Sequence, residues 1–250
     1  MTAAQFLKTP QGRDLAYHAT PGTGPCVVFL GGLKSDMEGT KAVFLEEWAQ
    51  RTGRAFLRFD YSGHGQSSGR FTEGCIGDWA EDTIAAVTAL TEGPIVPVGS
   101  SMGGWQALLL ARAMPERLAG LVTIAAAPDF TEDGYWASFT DAQRHQMETE
   151  GQVEMPSDYM EPYIITKRMI EDGRAQLVLR APLKLPFRTR FLQGTADTAV
   201  SVETAVRLLE HAQGPDIQLK LVKDADHRFS DDRCLALVLH ALDEVLPPEV

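Results

Sequence analysis

Cysteine is scarce in this 250-residue chain: Cys26, Cys75 and Cys234 stand far apart, and no C-x-x-C pair occurs. That scarcity excludes a disulfide framework and a cysteine-based zinc site. Long apolar runs are also missing. Residues 118–127 form one of the longest, about half of the roughly 20 residues that span a bilayer, so no stable membrane insertion is expected. Positive charge is in short supply, with 23 Lys and Arg against 34 Asp and Glu and a net charge of -11. Without a basic tract, such a chain repels nucleic acid and anionic lipid surfaces and accommodates a small neutral or weakly charged substrate more readily. Absent too are H-E-x-x-H, a P-loop and a G-x-G-x-x-G after a strand, so neither a metal nor a nucleotide cofactor is implied. The first eight residues lack a basic head followed by an apolar core, so no secretory signal is expected and the cytoplasm is the expected location.

What is present is an ordinary globular composition, 44% hydrophobic and 23% charged, with no internal repeat and no low-complexity segment. The length fits one large α/β domain over residues 1–250. Residues 6–8 and 14–18 read as an opening hairpin around Gln11-Gly12, followed by a loop over residues 20–25. Cys26-Val27-Val28-Phe29-Leu30 is a continuous apolar run of the kind expected for a strand buried on both faces of a parallel sheet. Ser35-Asp36-Met37-Glu38 has capping-box spacing, which places a helix from there to about Gln50. A strand over 55–59, a loop over 60–74 and a helix over about 78–90 follow. Another strand, helix and strand run from Ile95 to Ala126. Such alternation implies a parallel sheet with right-handed crossovers, that is, an α/β architecture with helices flanking the sheet.

The rhythm breaks between Pro128 and Pro186, where helices are expected over 141–149 and 159–171 and no strand is evident. An insertion of this size reads as a helical lid over residues 128–186. Strand and helix then alternate again: a strand over 189–193, a helix from Ser201 to His211, a strand over 217–222 and a last helix over about 231–245. Ser201 and Ser230 each sit where a helix N-cap is wanted.

One stretch carries the chemistry. Ile95-Val96-Pro97-Val98 leads into Gly99-Ser100-Ser101-Met102-Gly103, and Gly104-Trp105-Gln106-Ala107-Leu108 opens a helix at once. Strand, Gly-x-Ser-x-Gly and helix in that order describe a nucleophile elbow, with Ser101 exposed on the turn. A serine hydroxyl is a poor nucleophile near neutral pH and needs a histidine to take its proton and a carboxylate to orient that histidine. Asp197, in Gln193-Gly194-Thr195-Ala196-Asp197, and His227, in the loop after the last strand, supply them at carboxyl ends of parallel strands and in the order Ser, Asp, His. The oxyanion formed by attack needs fixed donors. Met102 N–H and Leu33 N–H, the latter in the turn Gly31-Gly32-Leu33, are the expected pair.

Rivals exist for each role. Gly65-Gln66-Ser67-Ser68-Gly69 matches the same pentapeptide, yet it lacks the strand before and the helix after, so Ser67 is read as a loop residue. Asp129, in Ala127-Pro128-Asp129, competes with Asp197 for the carboxylate. His64, in a loop at the same sheet edge, precedes the serine and reads as turn-stabilising. His18, His145, His211 and His240 read as surface or packing residues, and Asp60 and Asp226 as loop supports.

From about residue 12 onward the chain resembles the α/β-hydrolase fold family of serine hydrolases. More narrowly, Ser35-Asp36-Met37-Glu38-Gly39-Thr40-Lys41-Ala42, Arg58-Phe59-Asp60-Tyr61-Ser62-Gly63-His64-Gly65 and Gly99-Ser100-Ser101-Met102-Gly103-Gly104-Trp105 resemble the mitochondrial palmitoyl-protein thioesterase and acyl-glucuronide esterase group and its bacterial relatives. The resemblance implies hydrolysis of an ester or thioester of an acylated substrate through Ser101, His227 and Asp197. The chain has Gly31-Gly32 where some family members have His-Gly, and no targeting segment is visible. A C–C bond hydrolase or perhydrolase would use the same three residues. A non-catalytic ligand-binding module on this fold would not need all of them.

Overall fold

Val27-Val28-Phe29-Leu30 and Ile95-Val96-Pro97-Val98 carry apolar side chains toward both faces, and such strands are stable only between two covering layers. The computed structural model, which describes residues 3–155 and 162–246, buries them in that way. In chain order the first half contains β1 (Gln5–Lys8), β2 (Asp14–Thr20), β3 (Thr23–Leu30), α1 (Thr40–Thr52), β4 (Arg54–Phe59), α2 (Ile76–Leu90), β5 (Ile95–Ser100), α3 (Met102–Ala113) and β6 (Gly120–Ile124). The second half contains α4 (Asp141–Glu150), β7 (Gln152–Met155), β8 (Tyr163–Thr166), α5 (Lys167–Ala175), β9 (Leu183–Lys184), β10 (Arg188–Gly194), α6 (Val202–His211), β11 (Ala212–Gln213), β12 (Ile217–Val222) and α7 (Asp232–Val245).

Eight strands pair in the order β1-β2-β4-β3-β5-β6-β10-β12. The opening hairpin is antiparallel and β2 meets β4 antiparallel, while the remaining neighbours run parallel. Side chains alternate between faces along each strand. Val27, Phe29, Val96 and Val98 therefore pack with Leu45 and Trp48 of α1 and Val238 and Leu242 of α7. Val28, Leu30 and Ile95 face the other way, toward Trp79 of α2 and Trp105 and Leu108 of α3. Each large apolar side chain removed from water in these layers contributes about 1.5–3 kcal/mol. The register places Leu30 beside Gly99, Ser100 beside Ile124 and Gly194 beside Val222, so the carboxyl ends of β3, β5, β6, β10 and β12 form one edge. Every loop that carries a candidate site residue leaves from that edge.

Several local expectations are corrected. The helix expected from Ser35 begins at Thr40 with Gly39 as its N-cap, because the Ser35 N–H closes a turn onto Gly32 O and the Met37 N–H donates to Asp60 Oδ1 at 2.6 Å. With those donors spent elsewhere, the Ser35–Glu38 spacing caps nothing. The loop expected over residues 20–25 gives way at Thr23, where β3 starts. Between residues 128 and 186 there are strands after all: β7 and β8 form an antiparallel hairpin with Val153 opposite Ile165. The helix expected over 159–171 thus begins only at Lys167, with Thr166 as its N-cap, while residues 159–161 lie outside the described residues. The last helix is capped by Asp231, whose side chain accepts the Cys234 N–H, and not by Ser230.

Candidate active site

Ser101 sits between β5 and α3 with φ 57° and ψ −119°. A side chain in that left-handed region is strained by about 1–3 kcal/mol and persists only where neighbours hold it. They do so from three sides: Ser101 N–H donates to Ile124 O at 2.9 Å, and Ser101 O accepts from Gly104 at 2.9 Å and Ala127 at 3.1 Å. The flanking glycines are required by close approach. A Cβ on Gly103 would lie 2.0 Å from Leu30 O, and one on Gly99 would lie 2.2 Å from Gly103 O. Gly104, outside the pentapeptide, is equally constrained, since a Cβ there would meet Ala126 Cβ at 2.6 Å. The outcome is a serine whose backbone is fixed and whose hydroxyl faces the sheet edge.

His227 lies in the loop between β12 and α7, with Nε2 3.1 Å from Ser101 Oγ. Its Nδ1 lies 2.9 Å from Asp197 Oδ2. Asp197 follows β10 and its side chain is fully buried. Four donors face it: His227, Gln193 Nε2 at 2.9 Å, and the Ala199 and Val200 N–H groups at 2.9 and 2.8 Å. Burial by itself would push the carboxyl up, but these bonds, His227 foremost, outweigh it and hold Asp197 below the usual carboxylate range. Asp197 is therefore an anion at neutral pH, positioned to keep a proton on Nδ1 and the Nε2 lone pair toward the serine.

The rivals are placed elsewhere. Asp129 is completely buried, but it accepts from the Val178 and Leu179 N–H groups at 2.8 and 3.0 Å and from Arg180 Nη1 at 2.8 Å. Those bonds tie residues 178–180 to the end of β6 and involve no histidine. His64 is packed edge-on against Tyr61, Phe71 and Trp79, and burial lowers its pKa to about 4. It is a neutral core histidine whose Nδ1 meets Ser62 O at 3.1 Å. Ser67 accepts the Ala16 N–H at 2.8 Å and donates to Asp60 O at 2.7 Å, which is a structural pairing. Asp60 accepts the Met37 and Gln66 N–H groups, and Asp226 accepts that of Phe229. His18 lies 3.5 Å from Glu38, His211 meets Ala181 O at 2.7 Å, His240 faces Glu244 at 3.5 Å, and His145 is exposed on α4.

Leu33 and Met102 both line a cavity of about 890 Å³ that opens over Ser101 and His227. The turn before Leu33 closes tightly on the serine: a Cβ on Gly32 would lie 3.4 Å from Ser101 Cβ. Residues 128–186 contribute Phe130, Tyr135, Tyr163 and Leu179 to the cavity wall, while Lys34, Lys41 and Arg207 also border it. A volume of this size fits an organic ligand of tens of atoms. Gln193, Lys34 and Tyr163 belong to no chemical motif, and Lys41 lies within the stretch 35–42 without a role that the stretch itself assigns. Gln193 alone carries a local signal, in that it lies near the end of the strand that delivers Asp197.

Residues 27–250 match the model of the Alpha/beta hydrolase family. The chain belongs to that family. Among curated α/β-hydrolases it is 33% identical over 247 residues to the mitochondrial palmitoyl-protein thioesterase ABHD10 of Rattus norvegicus, an alignment covering 98% of this chain and 83% of the relative. A solved α/β hydrolase domain-containing protein 10 from mouse superposes with TM-score 0.90 at 31% identity, covering 97% of this chain and 98% of the other. A crystal structure from Agrobacterium vitis S4 that carries a provisional hydrolase designation superposes with TM-score 0.94 at 35% identity, covering 98% of both chains. These likenesses bear out the resemblance to the α/β-hydrolase family and, within it, to the palmitoyl-protein thioesterase group. No helix among the described residues of this α/β-hydrolase is long and apolar enough to cross a membrane.

Proposed function

We propose that this α/β-hydrolase cleaves carboxylic esters or thioesters by a two-step acyl transfer to water, with Ser101, His227 and Asp197 as its catalytic triad. The observation that carries it is the continuous chain Asp197–His227–Ser101, with contacts of 2.9 and 3.1 Å on the wall of one cavity. As Ser101 Oγ attacks the acyl carbon, its proton passes to His227 Nε2, and Asp197 steadies the imidazolium that forms. The carbonyl oxygen becomes an oxyanion held by the N–H groups of Leu33 and Met102, each worth on the order of 10²–10³ in rate. Collapse of this intermediate breaks the bond to the leaving group, which departs with the proton from His227. Water then attacks the acyl-Ser101 ester with His227 as base and releases the acid. No cofactor enters either step.

Residues 128–186 act in this scheme as a lid on a single α/β domain, and Phe130, Tyr135 and Leu179 offer apolar surface to the acyl group. The name of the rat relative, a palmitoyl-protein thioesterase, supports a thioester of an acylated protein as one substrate class. An acyl-glucuronide ester is a second class for the same chemistry. The cytoplasm remains the location that goes with this reading, tested by fractionating cells that express the full chain, since the rat relative is named as mitochondrial. Activity is tested by assaying oxygen esters and thioesters of rising acyl length with the wild type and Ser101→Ala. Turnover that is lost in the variant supports the proposal. Failure of every ester and thioester to turn over with a folded wild type would overturn it.

A further inference from the structure

Helix α1 begins with a cation. Lys41 stands in its first turn, and no acidic residue stands there with it. The free N–H groups at a helix N-terminus favour acids and disfavour a positive side chain. A residue that breaks its element's local preference is expected where it serves a site instead. Lys41 borders the same cavity as Ser101 and His227. Its Nζ donates to the carbonyl oxygen of Arg228, the residue directly after His227, and to Ser230 Oγ at 3.3 Å. Ser230 Oγ donates to the same carbonyl at 2.8 Å.

The loop that Lys41 grips is irregular. Asp224 and Phe229, on either side of His227, have left-handed φ values of 62° and 49°. Backbone of this kind holds its shape only when surrounding bonds over-determine it. The entry side is secured by the Asp224 N–H on Thr195 Oγ1 at 2.9 Å, and the Phe229 N–H on Asp226 Oδ1 is internal to the loop. Lys41 supplies a link to the exit side from another element. Lys41 is half-buried, and burial lowers its pKa to about 8 with partial compensation from Asp226.

Building on the assignment of Ser101 and His227 above, we propose that Lys41 is a positioning residue whose hold on the Arg228 carbonyl sets the place from which His227 takes the Ser101 proton. A misplacement of about 1 Å in such a group costs on the order of 10²-fold in rate, so even a partial loosening is measurable. The contact is made to backbone and hydroxyl oxygens, which Arg can also reach and Met cannot replace.

The test measures fluorophosphonate labelling rates, together with kcat and KM on a short-acyl 4-nitrophenyl ester, for the wild type, Lys41→Met, Lys41→Arg and Ser101→Ala. Lys41→Met is expected to lower labelling and kcat about tenfold with KM within about twofold, and Lys41→Arg to recover most of the loss. Lys41→Gln, which shortens the reach but stays polar, decides the question should Lys41→Met fail to fold. A folded variant that labels at the wild-type rate, or that loses affinity with kcat unchanged, overturns the clamp alone. A folded wild type that takes no label at all overturns the Ser101 assignment and the clamp with it.

Discussion

Two loops of this molecule carry the same pentapeptide pattern, Gly65-Gln66-Ser67-Ser68-Gly69 and Gly99-Ser100-Ser101-Met102-Gly103, and they do opposite things with the central serine. At Ser67 both hydrogen-bonding capacities of the hydroxyl are spent on backbone, on the Ala16 N–H and Asp60 O. At Ser101 the backbone is held by Ile124, Gly104 and Ala127, and the hydroxyl is left to His227. The glycines differ in the same sense. Gly65 and Gly69 have φ values of 45° and 92° and allow the chain to turn, with Gly65 also packed against the Asp60 carboxylate, whereas Gly99 and Gly103 let a strand and a helix approach closer than a Cβ permits. A motif of this kind gains its meaning from the elements either side of it.

The largest effect expected from this contrast is on Ser101 itself. Ser101→Ala should lower ester turnover by about 10⁴-fold or more while leaving thermal unfolding near that of the wild type, read by initial rates and circular dichroism. Next is the carboxylate. Asp197→Asn should lower kcat by about 10³–10⁴-fold, because the amide no longer selects the right tautomer of His227. Asp129→Asn, the same change on the neighbouring strand end, should instead lower stability by about 1–3 kcal/mol with kcat within a few-fold. Equal kcat losses in the two would break the distinction drawn between them.

The Ser67 loop sharpens the comparison through pH. Burial keeps His64 neutral to about pH 4, against an ordinary value of 6.5. The unfolded chain takes up that proton first, so the His64 contribution to stability, about 3 kcal/mol, is lost as pH drops from about 6.5 toward 4. Denaturant titrations across that range should show the slope, and His64→Gln should flatten it. The smallest effect is that of Ser67→Ala. Its lost hydrogen bonds should cost about 1–2 kcal/mol in the same titrations, with labelling by a fluorophosphonate unchanged.

Much of this was legible from residue order alone. β5 and α3 are marked by an apolar run on one side of the pentapeptide and helix formers on the other, and Asp197 and His227 follow in the order the sheet edge requires. The β7 and β8 hairpin was not legible, because Tyr163-Ile164-Ile165 is a short apolar run that suits a helix as well as a strand. The spacing at Ser35 does not start α1, for a tertiary reason: a carboxylate from the next loop, Asp60, takes the Met37 N–H. Ser230 and Asp231 are adjacent N-cap formers, and only the bond to Cys234 distinguishes them. Lys41 could not be assigned to the His227 loop from sequence, since the contact joins residues 187 apart.

Peptide mapping of the fluorophosphonate-treated protein by mass spectrometry locates the nucleophile. The label should sit on the peptide containing Ser101, at one equivalent per chain, and nowhere on residues 60–74. Label on the Ser67 peptide, or a folded protein that carries none, would contradict the assignment of the nucleophile to the turn between β5 and α3.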